Sequence, residues 1–284
     1  SLVDHGCKEI TLLGQKVNGY GLSALDRKNE YFSRMTRMKG HPFAQLLREL
    51  DKIPALQRVR FISPHPDNMT DDLIETIGQL RTLCPYVHLP VQSGDNEVLK
   101  RMNRRYTRER YLEVVKKFRR VLPEVSFSTD VIIGFCGETS EQFMNTYRLF
   151  EEVRFDMAYI SPYSPRRGTV SYRFFQDDVP QEEKMRRFHL LNNLLKQIAR
   201  ENHRQYIGHT VAVLVEKCEG RICSGRSEAF RIVEFPGSPD LIGEIVPVCI
   251  TDSREWMLQG EMASSVFSAH SIHYRPSVML SEKF

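Results

Sequence analysis

Five short apolar runs alternate with helix-forming segments up to about residue 205, and no other feature of the sequence restricts the fold so strongly. The runs are EITLLG (9–14), RVRFIS (58–63), YVHLPV (86–91), SFSTDVIIGF (126–135) and FDMAYISPY (155–163). Most are continuous in apolar character, as strands covered on both faces are. Between them lie helix signals. Thr107 stands ahead of Tyr111, Val114, Val115, Phe118, Val121 and Leu122 at helical spacing, and Thr139 with Gln142 forms a capping-box pair ahead of Phe143, Tyr147 and Phe150. Strand, helix, strand in series predicts βαβ units, a parallel sheet and right-handed crossovers. The series starts abruptly near residue 9, so a closed barrel of such units would need a further strand upstream.

Asp177, Asp178 and Pro180 introduce a long helix that ends near Gly208 and carries Met185, Phe188, Leu191, Leu194, Leu195 and Ile198 on one face. There the pattern changes. TVAVLVEKC, RICSGRS, FRIVEFP, EIVPVCITD and WMLQGEM are short strands separated by glycine, proline or charged turns, which predicts a small antiparallel β-barrel. The expected organisation is an α/β domain over 1–205, the β-barrel over 206–265 and a loosely docked tail over 266–284.

With 284 residues, 41% hydrophobic and 27% charged, the chain can bury a sizeable core. It has no apolar run of the roughly 18–20 residues that span a bilayer, and SLVDHGCKEI lacks a signal pattern, so a cytoplasmic or organellar protein is expected. Six unevenly spaced cysteines are too few for a disulfide framework, and Cys218 with Cys223 lacks a second pair to complete a metal site. All six are expected to be structural or incidental, with none a metal ligand. A net charge of +4 is only mildly basic, so any nucleic-acid argument rests on where the charges lie.

Ligands of parallel α/β folds gather at the carboxyl ends of the strands. Here those ends are polar and glycine-rich: GQKVNGYG (14–21), SPHPDNMTDD (63–72), PVQSGD (90–95), GFCGET (134–139) and YSPRRGT (163–169). Gly134 and Gly137 permit close backbone approach to a ligand, or simply a tight strand-to-helix turn. Gln92, Ser93 and Gly94 form a similar edge, suited to ribose hydroxyls or to satisfying the turn itself. Asp130, inside an apolar strand, needs a partner, either a ligand or a core polar network. His65, between two prolines, reads as structural because no partner carboxylate is evident.

LKRMNRRYTRER (99–110) sets Lys100, Arg101, Arg104, Arg105, Arg108 and Arg110 against one acid, with Tyr106 among them. Cations with an interleaved aromatic suit phosphates and a stacked base. The small β-barrel, a module that often binds single-stranded or looped RNA, turns the balance from a solvated helix face toward RNA binding.

EITLLGQKVNGYG, RVRFISPHPDNMTDDLIE, HLPVQSGDNEVLKRMNRRYT, STDVIIGFCGET and YSPRRGT, in this order, resemble the tRNA methylthiotransferase family of radical S-adenosylmethionine enzymes. The C-terminal region looks like a TRAM domain, and the resemblance runs over about residues 8–262. It implies a partial radical-SAM-type parallel (β/α) barrel holding the second to sixth core strands, followed by the TRAM-like barrel. LLGQKVN and HLPVQSG look most like the branch that modifies N6-isopentenyladenosine at position 37 of tRNA, and LKRMNRRYT is similar to the threonylcarbamoyladenosine branch.

The resemblance implies S-adenosylmethionine, two [4Fe–4S] clusters and a radical that abstracts hydrogen from C2 of the adenine, where sulfur and its methyl group end up. A CxxxCxxC loop holds one cluster in that family. This sequence has none, so by resemblance the cluster ligands precede Ser1, no catalytic residue can be placed, and the chain alone is expected to be inactive or to act as a tRNA-binding protein. Cys136 stands where the family usually has proline, and is a filler. By resemblance Gln15, Gln92, Ser93, Asp130, Gly134, Gly137, Glu138 and Tyr163 are the cofactor edge. Arg101, Arg104, Arg105, Arg166 and Arg167 are the candidate contacts to tRNA at its anticodon stem-loop. The expected protein is monomeric, with an unidentified sulfur donor.

Overall fold

A computed structural model describes residues 2–22 and 40–263. The expected tail over 266–284 lies outside them. Strands β1 (Glu9–Leu12) and β2 (Arg58–Phe61) pair in parallel, as do β3 (Tyr86–His88), β4 (Ser126–Ile133) and β5 (Met157–Pro162) in that order. A bridge between Val59 and Leu83 links the two groups, so the five strands follow chain order, the winding of a (β/α) barrel. Strand β3 stops at His88, short of the predicted YVHLPV, although Gln92 rejoins Val131 by a single bridge. Pro90 has no amide hydrogen to extend the ladder.

The helices are α1 (Pro42–Asp51), α2 (Asp71–Gln79), α3 (Asn96–Arg101), α4 (Arg108–Val121), α5 (Ser140–Val153), α6 (Val170–Phe174) and α7 (Gln181–Arg204). Their starts follow the sequence signals. Thr70, Asp95, Thr107, Thr139 and Thr169 each accept a backbone amide at an N-cap, and the Thr139–Gln142 capping box is formed in both directions. Tyr111, Val114, Val115 and Phe118 of α4 are buried in one core with Phe127, Phe143, Phe150, Leu191 and Leu195. That core lies between helices and sheet.

Strands β6 (Thr210–Glu219), β7 (Ile222–Ser227), β8 (Ile232–Pro236), β9 (Ile245–Ser253) and β10 (Leu258–Met262) close into a second barrel around Val213, Val233, Phe235, Val248 and Leu258. The sequence predicted antiparallel pairing throughout, but β8 and β10 pair in parallel. Five strands cannot alternate direction all the way round a closed ring, so one parallel pair is unavoidable. A second feature is a disulfide between Cys218 and Cys223, a single bridge in a chain whose cysteines are too few for a disulfide framework. The β6–β7 register sets these residues directly opposite, with Cα atoms 4.0 Å apart.

The small barrel docks on the amino end of the parallel sheet. Val59 and Phe61 of β2 enter the helix-side core, and strand alternation turns Arg58 and Arg60 the other way. Arg58 donates to the carbonyls of Ala212 and Arg226 at 2.8 and 3.1 Å, and Arg60 to those of Ser227 and Glu228 at 2.8 and 2.7 Å. Arg60 also bonds Glu9 at 2.9 Å. Phe230, in the β7–β8 turn, stacks on Tyr86 with centroids 4.6 Å apart, and the Arg60 and Arg226 guanidinium groups lie over its ring. Its φ of +63° is uncommon for a bulky residue and is held by these contacts. The carboxyl ends of the strands are left clear of this contact. No helix among the described residues is long and apolar enough to cross a membrane.

Candidate functional site

The carboxyl ends of the five strands join into one continuous rim. Beyond β1, the buried Asn18 side chain brackets His65, donating to its carbonyl at 2.9 Å and accepting its amide at 2.8 Å. His65 meets Tyr106 edge-on, and the Tyr106 hydroxyl donates to the Val91 carbonyl at 3.1 Å. Gln92, at φ +68°, donates its amide to the Asp130 carbonyl and accepts from Ile132. The Tyr163 amide donates to Ile133 at the end of β4, next to Gly134. Gln15 is exposed just beyond β1.

Burial pushes the His65 imidazole down to about 4, helped by the nearby charges of Lys16, Arg104 and Arg105. Its Nδ1 accepts the Asp67 amide as a cap, so the neutral ring is the form the fold uses. His203 is likewise held at about 4, by burial and by Arg231. Its ring bonds the Arg254 carbonyl at 2.8 Å and meets Arg231 at 3.3 Å. Neither histidine is placed to serve as a general base at neutral pH.

A pH dependence follows. Unfolded histidine titrates near about 6.5, so between that pH and about 4 the unfolded chain binds protons that the folded chain refuses. Their contribution to stability is complete above the unfolded value and is lost as pH falls toward 4, at up to about 1.4 kcal/mol per pH unit for each ring. Asp67 and Glu138, both raised by burial, act the other way and blunt the slope. Urea midpoints should therefore be lower at pH 5 than at pH 7, and the difference should shrink in His65→Asn, whose amide oxygen can still cap Asp67. Equal midpoints at the two pH values would contradict this account.

On the lumen face of the sheet a polar line runs from the rim inward. Asp130 Oδ2 lies 3.4 Å from His88 Nε2, His88 Nδ1 is bonded to Ser128 Oγ at 2.8 Å, and Ser128 Oγ to the Tyr86 hydroxyl at 2.6 Å. Asp130 thus meets a core polar network, one of the two kinds of partner the sequence left open, while its side chain remains 41% exposed toward the lumen.

The Gly134–Glu138 turn is stapled from several sides. Glu138 is buried, accepts the Gly134 amide at 2.6 Å and pairs with Arg187 of α7 at 2.7 Å. Burial raises its carboxyl despite these donors, and its Oε1 has no partner among the described residues. The Gly137 amide donates to Asp178 at 2.6 Å, and the Gly137 carbonyl accepts Arg101. Lys184 is buried, donates to the Tyr163 carbonyl and pairs with Asp177. Cys136 packs with Phe135 and Val98, as a filler would.

Some expected site residues are turned to structural tasks. Ser93 is fully buried and bonds the Asp95 amide, so it completes the turn. Arg101 was expected to meet tRNA, but its guanidinium reaches Gly137 and Gln142, 3.2 and 2.9 Å away. Arg104 lies beside His65, and Arg105, Arg166 and Arg167 are exposed. Sequence reasoning missed His88, Lys184 and Arg187. Lys184 and Arg187 sit in an amphipathic helix where charged residues normally read as solvent-facing.

The cysteines in the described residues do not fit an iron–sulfur cluster: no group of three His, Cys, Asp or Glu side chains is placed to hold a metal. Cys84, with its thiol pushed up to about 12 by burial, is no thiolate ligand.

The signature of the radical SAM superfamily matches residues 1–150, and that of the TRAM domain matches residues 204–263. Proteins named tRNA-2-methylthio-N(6)-dimethylallyladenosine synthase are similar along most of the chain. That of Clostridium botulinum strain Hall is 42% identical over 263 residues, 92% of this chain and 55% of its own length. That of Protochlamydia amoebophila is 42% identical, covering 92% and 56%, and that of Geobacillus thermodenitrificans is 42% identical, covering 95% and 49%. The chain thus spans about half the length of the curated relatives it matches. With the superfamily signature over more than half of its residues and a five-stranded barrel where the TRAM signature falls, this chain belongs to the radical SAM superfamily and carries a TRAM domain.

Proposed function

We propose that this chain serves the formation of 2-methylthio-N6-dimethylallyladenosine at position 37 of tRNA, by radical S-adenosylmethionine chemistry. The observation that carries the reading is the rim itself. Five polar strand ends converge on one mouth, cations gather along its border, and relatives bearing that activity in their name match 92% of the chain. S-adenosylmethionine would lie along Gln15, Gln92, Asp130, Gly134, Gly137, Glu138 and Tyr163, where a one-electron reductant that the described residues do not hold would have to cleave it to give the radical that removes hydrogen from C2.

The residues of this chain bind, orient and exclude water, and no step is assigned to an iron–sulfur cluster because the described thiols do not form its ligand set. The partner is the tRNA anticodon stem-loop, met by a monomeric cytoplasmic protein. Residues 1–205 hold 33 Lys and Arg against 26 Asp and Glu, whereas 206–263 hold five against nine. The α/β domain, more than the TRAM barrel, therefore supplies the electrostatic attraction.

Deleting the gene in its source organism tests the reading through tRNA nucleoside mass spectrometry. The 2-methylthio nucleoside should disappear while N6-dimethylallyladenosine accumulates. Persistence of the methylthio form would refute the reading, and loss of a 2-methylthio-threonylcarbamoyl nucleoside instead would move the substrate to the other branch.

A further inference from the structure

The segment after β5 leaves α6 uncovered. Val170 and Phe174 are 68% and 75% exposed and Tyr172 47%. Arg166, Arg167 and Arg173 accompany them, and residues 164–175 contain no acid. The acids that follow are already used, Asp177 by Lys184 and Asp178 by the Gly137 amide. No ion pair engages the three arginines among the described residues. A soluble surface rarely leaves so many large apolar side chains together without a partner.

The patch is also preorganised. Thr169 caps α6, accepting the Tyr172 amide and donating its hydroxyl to the Arg166 carbonyl at 2.8 Å. Phe175 packs on Phe135, which precedes Cys136 in the rim turn, so α6 is anchored beside the mouth. Arg166, Arg167 and Arg173 therefore lie with exposed aromatic rings beside the mouth.

We propose that α6 is a stacking platform for unpaired bases of an RNA loop at this mouth, with Tyr172 and Phe174 taking bases and Arg166, Arg167 and Arg173 taking phosphates. The inference rests on the RNA reading above. Unpaired charge of one sign favours a polyanion over a protein face, and rings interleaved with guanidinium groups favour exposed bases over a duplex, whose bases are already stacked.

The test compares the full chain with two probes, an RNA hairpin with the sequence of a tRNA anticodon arm and a blunt duplex of its stem, by fluorescence anisotropy across a salt series. Tyr172→Ala/Phe174→Ala should weaken hairpin binding by about tenfold or more, with duplex binding and the salt slope unchanged. Tyr172→Trp should retain affinity. Neutralising Arg166, Arg167 and Arg173 to glutamine should reduce the slope of log K against log salt by about 2 on the hairpin loop. Wild-type hairpin affinity in the double aromatic variant, or an equal loss on both probes, would overturn the platform while leaving RNA binding intact. Failure of the wild-type chain to bind either probe would overturn the RNA reading and the platform with it. All the substituted side chains are solvent-facing, so unchanged circular dichroism is expected for every variant.

Discussion

Replacing Asp156 by alanine is expected to destabilise the chain by about 3–5 kcal/mol, because it strands a buried guanidinium at the seam between the two domains. Asp156 Oδ1 accepts Arg231 at 2.5 Å and Asn202 at 2.7 Å, while Oδ2 accepts the Ser126 hydroxyl and the Phe127 amide, each at 2.8 Å. Burial alone would raise this carboxyl. Arg231, Ser126 and Phe127 outweigh it and hold the group below the ordinary carboxylate range, while Asp156 raises Arg231 in turn. Arg231→Met should cost less, since the aspartate keeps three donors. The double variant should be more stable than Asp156→Ala alone, because no unpaired charge remains buried. Urea denaturation of the three variants measures this. A loss below about 1 kcal/mol for Asp156→Ala would mean that water reaches the seam and the pair is not desolvated.

The same seam shows what could be read locally and what could not. Strand β4 was legible because SFSTDVIIGF is long and carries the apolar run 131–133 before its glycine turn, and α5 because its capping box stands directly before its apolar face. RVRF, read locally, alternates charge and hydrophobe, as a strand with one wet face does. Instead both arginines are buried, because their acceptors are the carbonyls of Ala212 and Ser227, more than 150 positions away in sequence. Likewise the Cys218–Cys223 bridge depends on hairpin register, and the parallel β8–β10 pair on ring closure, neither of which composition or periodicity encodes.

At the site, strand-end polarity located the rim, since a parallel sheet places all such ends on one side. The division of labour within the rim was not legible. Glutamate, serine and arginine in a glycine-rich turn look alike whether they face a ligand or satisfy the backbone. Their roles separated only when α3 and α7 were seen packed against the turn, Arg101 from one side and Arg187 from the other.

Gly134→Ala should then be among the most costly substitutions at the mouth, and Gly137→Ala is its internal control. Both glycines have left-handed φ values, +65° and +71°, so a side chain at either costs about 1–2 kcal/mol. They differ in surroundings. A Cβ at Gly134 would lie 2.4 Å from Cγ of the buried Lys184 stem, whereas a Cβ at Gly137 would meet nothing nearer than the Arg101 guanidinium at 3.7 Å. Overpacking adds about 1–3 kcal/mol at Gly134 alone, for a total of about 2–5 kcal/mol. Lys184 cannot move away cheaply, since its ammonium is held by Asp177 and by the Tyr163 carbonyl, and any shift disturbs the last edge of the rim. The difference between the two alanine variants in denaturant unfolding isolates the contact with the lysine stem. Equal costs would show that Lys184 yields freely and that the glycine serves only the backbone turn. A larger cost at Gly134 would show that α7, through one buried lysine, fixes the height of the mouth.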